Sequence, residues 1–285
     1  MRYRHLRFPD GRTKAVTLSY DDGVKEDIKL ADIINKYGMK CTFNHMNNVQ
    51  MTKEEVIENI ISKGHEIAVH GAKHGAEGLL RPVEGIEDVL SCRNELERKF
   101  DTIIRGMAYP DSGIWNIFTG NTYENIKQYL KNLDIAYART LGEDNMEFRL
   151  PVDWYAWMPT AHHKNPELMN YIDEFLKIDF SEKKYQGSNG YPRLFYLWGH
   201  SYEFERDNNW ELIDNICKKL SEKSDIWYAT NMEIYKYVNA YNSLEYSADG
   251  MIIYNPTAYR VWFEIDDKLY SIKSNETINI RYEDI

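Results

Sequence analysis

Cysteine is scarce in this chain, and its spacing excludes two kinds of stabilising site. The 285 residues include three cysteines, Cys41, Cys92 and Cys217, and no two of them form a C-x-x-C pair. An odd number of widely separated thiols predicts neither a disulfide framework nor a structural zinc site. A reducing compartment is the simplest inference.

Basic charge and long apolar runs are lacking as well. Lys and Arg number 35 against 45 Asp and Glu, which gives a formal net charge of −10. This balance argues against nucleic acid as a partner and suits a neutral or cationic substrate. No apolar run approaches the length of a membrane span, and residues 1–6 lack the apolar core of a signal peptide. We therefore expect a cytoplasmic protein without a membrane span, with export left open.

Apolar and aromatic residues, in contrast, are plentiful. Hydrophobic residues make up 43% of the chain and aromatic residues 14%, including 22 tyrosines and 7 tryptophans. Burial of this much apolar surface can offset the entropy of the chain, so we expect an ordered globular protein. The length suits one α/β barrel, alone or with a small appendage.

Short apolar strands alternate with amphipathic helices as far as residue 242. Thr52 and Glu55, for example, form a capping box before one helical pattern. The region 141–163 is irregular, with one extended piece at 154–158. Strands are predicted at 15–18, 41–46, 66–69, 103–109, 135–138, 194–198 and 226–229. About seven strands, each followed by a helix, predict a parallel sheet closed into a barrel over residues 1–242.

The pattern changes in the last part of the chain. Residues 251–254, 259–265, 269–272 and 277–282 alternate with the period of strands and are separated by turn residues. We therefore predict a small antiparallel β extension over residues 243–285.

Two adjacent carboxylates follow the first predicted barrel strand. The apolar run 15–18 leads into Asp21, Asp22 and Gly23, which is typical of a buried strand that ends in a turn. Because the chain turns there, one carboxylate can bind a cation while the other accepts a proton. A solvated Asp-Gly turn is the ordinary alternative.

Two histidines follow the third predicted strand. If one helical turn separates His70 from His74, both rings face the same way and can bind one metal ion. Asp22 would complete a set of three protein ligands with open positions, which is typical of a catalytic metal site. A chance pair is the alternative, but Asp111 and His200 also follow strand-like runs, and a barrel brings strand ends to one face.

These motifs resemble those of the polysaccharide deacetylases of carbohydrate esterase family four, which have the NodB homology fold, over residues 12–240. Residues 19–23 match the family's T-F-D-D-G motif, and residues 70–74 match its H-S/T-x-x-H motif. The resemblance implies a distorted (β/α)7-type barrel with Asp21 as the general base. It also implies one divalent metal ion held by Asp22, His70 and His74, with Zn²⁺ expected and Co²⁺ or Ni²⁺ as alternatives.

The family's third motif, R-x-P-Y, is altered at residues 108–111. Ala108 stands where the family has an arginine that partners the base, and Asp111 stands where it has a tyrosine. The oxyanion role carries over to Asp111, since it depends on a backbone N–H and survives a change of side chain. Arg105 and Arg193 are the candidates to replace the missing arginine.

The fourth and fifth motifs correspond to residues 153–154 and 197–200. By the resemblance His200 is the general acid, and Asp153 orients its ring and raises its pKa. Trp154 and Leu197 are predicted to line the pocket for the acetyl group, and Tyr109 of the third motif is predicted to contact substrate.

The implied function is hydrolysis of N-acetyl groups on a sugar or polysaccharide, with release of acetate. Two alternatives stay open: a metal-dependent hydrolase of another amide or of an acetyl ester, and a catalytically degenerate carbohydrate-binding protein. An acetylated carbohydrate is the expected partner, and the sequence leaves the oligomeric state open. We expect His162 and His163 to be surface residues, because adjacent side chains on a loop point apart.

Overall fold

Strands and helices alternate along the chain as the sequence pattern predicts. The structure, a computed structural model, describes residues 3–111, 113–114, 121–141 and 148–281. Its strands are β1 (Arg4–Arg7), β2 (Lys14–Asp22), β3 (Cys41–His45), β4 (Glu66–Val69), β5 (Gly106–Ala108), β6 (Tyr137–Arg139), β7 (Ala161–His162), β8 (Arg193–Gly199), β9 (Ile226–Tyr228), β10 (Glu245–Tyr246), β11 (Ile252–Tyr254), β12 (Val261–Ile265), β13 (Lys268–Ile272) and β14 (Thr277–Asn279). Its α-helices are α1 (Glu26–Lys36), α2 (Lys53–Asn59), α3 (Pro82–Phe100), α4 (Tyr123–Asn132), α5 (Leu168–Lys177), α6 (Tyr202–Arg206), α7 (Glu211–Leu220) and α8 (Asn231–Asn242).

One parallel sheet curls into an open barrel. Its strand order is β6-β5-β4-β3-β2-β8-β7, and β9 pairs with the first residues of β2. The central strand β2 is buried over nearly its whole length, since helices cover one side of the sheet and side chains fill the other. The predicted barrel of the (β/α)7 type is confirmed.

Successive side chains of β2 point alternately to the helices and to the barrel interior. Val16, Leu18 and Tyr20 belong to the apolar core between sheet and helices. Ser19 faces the barrel interior, where Asn44 on β3 donates a hydrogen bond to its hydroxyl at 2.7 Å. Asp21 has the same parity as Ser19, so it also points inward at the carboxyl end of the strand.

Local sequence signals locate most helices. The capping box of Thr52 and Glu55 is present at the start of α2, and Gly64 ends the following turn in a left-handed conformation. Helix α3 begins with Pro82, a residue that suits the first position of a helix because it has no N–H to leave unpaired. All three cysteines are buried and unpaired. No helix among the described residues has the length and apolar content needed to cross a membrane.

Two small antiparallel sheets accompany the barrel. One consists of β10, β11 and β14, and the other has the order β1-β12-β13. The antiparallel strands predicted for the last part of the chain are therefore present. Strand β1, in contrast, was not predicted. It pairs with β12 from Arg4 opposite Ile265 to Arg7 opposite Trp262. Residue 282 of the last predicted strand lies outside the described residues, and the division of the chain after residue 242 stays a prediction.

The region before α5 differs from its prediction. Residues 154–156 form a short 3-10 turn instead of an extended piece. The extended segment is β7, which begins three residues after the predicted piece ends, and it pairs in parallel with β8 so that His162 lies opposite Trp198. This pairing brings His162 into the barrel wall.

Candidate metal centre and active site

Strand ends assemble the site at one edge of the barrel. Asp22 is the last residue of β2, His70 directly follows β4, and His200 directly follows β8. Because these strands are parallel members of one sheet, their carboxyl ends share one face.

Asp22, His70 and His74, which we call the Asp22 cluster, converge on one point. Asp22 Oδ1 lies 3.5 Å from His70 Nε2 and 3.6 Å from His74 Nε2, and the three atoms are within 4.8 Å of one another. Asp22 Oδ1 is buried and has no hydrogen-bond partner among the described residues. Neighbouring ligands of a tetrahedral Zn²⁺ ion lie about 3.3–3.5 Å apart. The cluster therefore fits a divalent cation.

His70 is oriented as a ligand by its second ring nitrogen. His70 Nδ1 lies 2.9 Å from the carbonyl oxygen of Ala108, to which it can donate, and this leaves the Nε2 lone pair facing Asp22. Burial lowers the pKa of His70, although Asp21 opposes the shift. The ring is therefore neutral near pH 7, as metal binding requires.

A loop, and not the expected helical turn, brings His74 back to His70. Gly71 and His74 both have positive φ, 73° and 56°, which reverses the chain within four residues. Asp88 on α3 fixes this loop: its carboxylate accepts from Lys73 N at 2.8 Å and its carbonyl accepts from Ala72 N at 3.2 Å. The two imidazole rings meet edge to face with centroids 4.9 Å apart.

Asp21 is a buried carboxylate with two side-chain donors. Asn44 Nδ2 donates to Asp21 Oδ1 at 2.8 Å, and Arg139 Nη2 donates to Asp21 Oδ2 at 2.5 Å. Burial by itself raises the pKa of Asp21, but Arg139, then the neighbouring imidazoles and Asn44, outweigh it and lower the pKa overall. Asp21 is therefore ionised at neutral pH.

Arg139 is the cation that sequence reasoning missed. It is fully buried at the end of β6, and its guanidinium lies 4.5 Å from the ring centre of Trp198. The two arginines suggested by the sequence do not reach Asp21: Arg105 pairs with Asp134 at 2.7 Å, and Arg193 donates to the Tyr191 carbonyl. Arg139 directly follows the predicted strand 135–138, and this position at a strand end was the signal that could have identified it.

Asp111 lies beside the Asp22 cluster. Its exposed carboxylate oxygen Oδ2 is 3.5 Å from His74 Nδ1, the ring nitrogen that faces away from Asp22. Its φ of 46° turns the backbone away from the strand after Pro110. The side chain can thus orient His74 as a ligand.

His200 lies near the base but not near its expected partner. Its charge is close enough to favour the ionised form of Asp21. Asp153 instead accepts from Lys127 Nζ at 2.5 Å and from Tyr123 Oη at 2.8 Å. The carboxylate next to His200 is Glu203 on α6, whose Oε2 is 3.5 Å from His200 Nδ1. The expected contact between Asp153 and His200 is not present in the described part of the chain.

Two of the three residues predicted to contact substrate are packed in the core, and the third, Trp154, is half-buried. Leu197 and Tyr109 are 0% and 1% exposed, and both belong to the apolar core on the helix side of the sheet. Trp154 packs edge-on against Trp157 with ring centres 5.0 Å apart. Side chains alternate along β8, so it is Trp198 that faces Arg139 and the site.

His162 and His163 are not the surface residues that the sequence suggested. His163 is 2% exposed, and its ring stacks on that of Phe204 at 4.3 Å. Burial lowers the pKa of His162 to about 4 and that of His163 to about 2. Both rings are therefore neutral at physiological pH.

The comparisons with known proteins agree with this geometry. The sequence model of the family described as polysaccharide deacetylase matches residues 9–138. No curated protein matches the chain. A crystal structure from Mycobacterium smegmatis, provisionally described as a polysaccharide deacetylase, is similar with a TM-score of 0.55 and 16% identity, covering 83% of this chain and 94% of that one.

Two further solved structures are similar at lower scores. The peptidoglycan deacetylase PdaC from Bacillus subtilis has a TM-score of 0.49 and 15% identity, covering 81% of this chain and 95% of that one. A family 4 carbohydrate esterase from Streptomyces lividans has a TM-score of 0.48 and 11% identity, covering 73% and 88%. Residues 9–138, which hold Asp21 and the Asp22 cluster, thus match the sequence model of the same polysaccharide deacetylase family that the motifs resemble.

Proposed function

We propose that this chain is a metal-dependent hydrolase that removes N-acetyl groups from an acetylated sugar or polysaccharide and releases acetate. One observation carries the proposal: an ionised Asp21 lies beside a three-residue cluster that fits a divalent cation. Asp21 Oδ2 is 3.9 Å from His70 Nε2, close to the cluster without being part of it. A base and a cation are what amide hydrolysis by water requires.

A Zn²⁺ ion held by Asp22, His70 and His74 would polarise the acetyl carbonyl and lower the pKa of a bound water from 15.7 to about 7. Asp21 accepts the proton of the attacking water. Arg139 and Asn44 hold both oxygens of this carboxylate, so the base is fixed before substrate arrives. Co²⁺ and Ni²⁺ are the alternative ions.

His200 supplies the second proton transfer. Its ring is 22% exposed, which gives it access to a leaving group. As an imidazolium it donates a proton to the departing amine nitrogen, so that the sugar leaves with a free amine. The backbone N–H of Asp111, after the turn at Pro110, is the proposed donor to the oxyanion.

Acetate release from N-acetylglucosamine oligomers tests this proposal. Protein stripped with EDTA should be inactive and should regain activity with one equivalent of Zn²⁺. Asp21→Asn should bind the ion and release no acetate, because it lacks only the base. Asp32→Asn, which changes an exposed aspartate on α1, is the matched control and should keep full activity.

The same panel separates the alternatives. Acetate from O-acetylated xylan but not from N-acetylated oligomers would favour the esterase. A bound ion without acetate from either substrate would favour hydrolysis of another amide. Failure to bind Zn²⁺, Co²⁺ and Ni²⁺ would favour a carbohydrate-binding protein.

A further inference from the structure

Glu203 is a buried carboxylate surrounded by imidazole rings. Its Oε2 lies 3.1 Å from His162 Nε2, 3.3 Å from His163 Nε2 and 3.5 Å from His200 Nδ1. Glu203 is 9% exposed, and neither its Oε2 nor His200 Nδ1 has a hydrogen-bond partner among the described residues. A buried ring nitrogen of His200 that has no partner and faces this carboxylate suggests an interaction that forms during turnover.

The other oxygen of Glu203 is fixed by cations. Arg206 Nη2 donates to Oε1 at 3.1 Å, and Lys164 Nζ lies 3.7 Å from it. Asp207 pairs with both cations and balances their charge. Glu203 is thus held in place through one oxygen while the other faces the rings of His162, His163 and His200.

The turn between the two residues is also fixed. Glu203 N donates to the His200 carbonyl at 3.2 Å, and Ser201 Oγ donates to Asp27 Oδ1 at 2.6 Å. The relative position of the ring and the carboxylate is therefore set by backbone and buried side chains.

A second metal site is the competing interpretation, because ligand atoms of His162, His200 and Glu203 lie within 4.8 Å of one another. The hydrogen bonding of His162 opposes it. Lys164 N donates to His162 Nδ1 at 3.1 Å, which leaves the ring proton on Nε2, the atom that would have to bind the ion.

We propose that Glu203 is the positioning residue for His200, in the role that the family resemblance assigns to Asp153. The inference rests on the proposed function. Glu203 orients the imidazole through Nδ1–H and stabilises the imidazolium, so that the opposite nitrogen presents a proton to the leaving amine. Lys127 and Tyr123 engage Asp153 instead.

Other groups also face His200 and contribute to its protonation. Two carboxylates, Glu203 and Asp21, lie near the ring, and Glu203 is the nearer one. Its removal should therefore have the larger effect on the stability of the imidazolium. The charged, titratable and aromatic groups around the ring are Glu203 on α6, His162 on β7, Asp21 on β2, Trp198 on β8 and Tyr202 on α6.

The first test compares pH–rate profiles of acetate release. Glu203→Gln should lower kcat roughly 10–100-fold with little change in KM. The alkaline limb of its profile, where His200 loses its proton, should move about one pH unit lower. Glu203→Asp, which keeps the charge, should restore the position of the limb. Glu205→Gln, on the same helix and exposed, is the matched control and should behave as wild type.

Asp153→Asn separates the two assignments. A shift of the alkaline limb in Asp153→Asn together with an unshifted limb in Glu203→Gln would overturn the proposal. A fall in kcat of Glu203→Gln without any shift of the limb would also overturn it, because that result indicates a purely structural role.

An NMR titration of the His200 ring tests the role of Glu203 independently of the proposed deacetylase activity. The titration midpoint should fall in Glu203→Gln and stay unchanged in Asp153→Asn, whether or not the protein releases acetate. An unchanged midpoint in Glu203→Gln contradicts the inference. Binding of two Zn²⁺ equivalents that falls to one in Glu203→Gln would show a second metal site and would equally overturn it.

Discussion

Replacing Arg139 by methionine tests what holds the base in place. Arg139 and Asp21 are 0% and 2% exposed, so the substitution removes the cation and leaves a buried carboxylate behind. Methionine keeps much of the side-chain length and can pack against Trp198. Removing one partner of a buried ion pair costs about 3–5 kcal/mol. In a chain of 285 residues, with an unfolding entropy of about 2.1 cal/mol/K per residue, that loss corresponds to a fall in melting temperature of roughly 5–8 °C.

The pH dependence of this loss has a definite sign. In the wild type the pKa of Asp21 is lowered, so its ionisation stabilises the fold above the unfolded pKa of about 4 and is lost as the pH falls through the lower folded value. Without Arg139 burial dominates and raises this pKa. The destabilisation of Arg139→Met should therefore be largest at neutral pH and should shrink below about pH 4.

Thermal melts of EDTA-treated protein measure this effect without a bound ion. The double variant Arg139→Met with Asp21→Asn should be more stable than the sum of the single changes predicts, by about 1–3 kcal/mol. Arg105→Met, which breaks the exposed pair with Asp134, is the control and should cost at most about 1 kcal/mol. A melting temperature of Arg139→Met equal to that of Arg105→Met, with additive effects in the double variant, would refute the assignment.

Three further predictions concern the metal loop and its surroundings. His70→Ala should weaken Zn²⁺ binding by more than the roughly 10–100-fold typical of outer-shell changes, measured by chelator competition; wild-type affinity would remove His70 from the site. Gly71→Ala should cost more stability than Gly38→Ala and should also weaken Zn²⁺ binding. Both glycines have positive φ, but a Cβ at Gly71 would overlap the carboxylate of Asp88, whereas a Cβ at Gly38 would meet open space. Gly38→Ala should therefore cost only the backbone strain of about 1 kcal/mol. Equal losses of stability in the two variants would contradict this explanation. Glu77 is buried, and its pKa is raised to about 8 from an ordinary 4.5, so the fold loses stability as pH rises between these values. Glu77→Gln should therefore have a larger free energy of unfolding than wild type at pH 8.5, by on the order of a few kcal/mol, and the same stability at pH 4, as measured by denaturant unfolding; a difference that does not change with pH would exclude this cause.

The parts of the site that lie on short motifs were predictable from the sequence. Asp21 and Asp22 follow an apolar run directly, and His70 follows another, so local patterns located them at strand ends. The parallel order of the sheet then brought these ends together. Local periodicity and chain topology were sufficient for this much.

Contacts between distant segments were not predictable in the same way. Arg139 and Asp21 are separated by 118 positions, and although Arg139 directly follows the predicted strand 135–138, no local pattern pairs it with Asp21. Residues 194–198 of β8 are all apolar or aromatic, so the sequence does not show that Trp198 faces the interior while Leu197 faces the helices. Neighbouring residues of a strand point to opposite faces of the sheet, so only an alternation of polar and apolar residues reveals which face each side chain occupies. Strand β1 has four residues, two of them arginine, which is too short a pattern to recognise.

Anomalous diffraction at the zinc edge is the most direct measurement of the central claim. Protein stripped of metal and loaded with one equivalent of Zn²⁺ should show one peak, about 2.0–2.2 Å from Asp22 Oδ1, His70 Nε2 and His74 Nε2. A peak at any other position, or none with saturating Zn²⁺, would contradict the account.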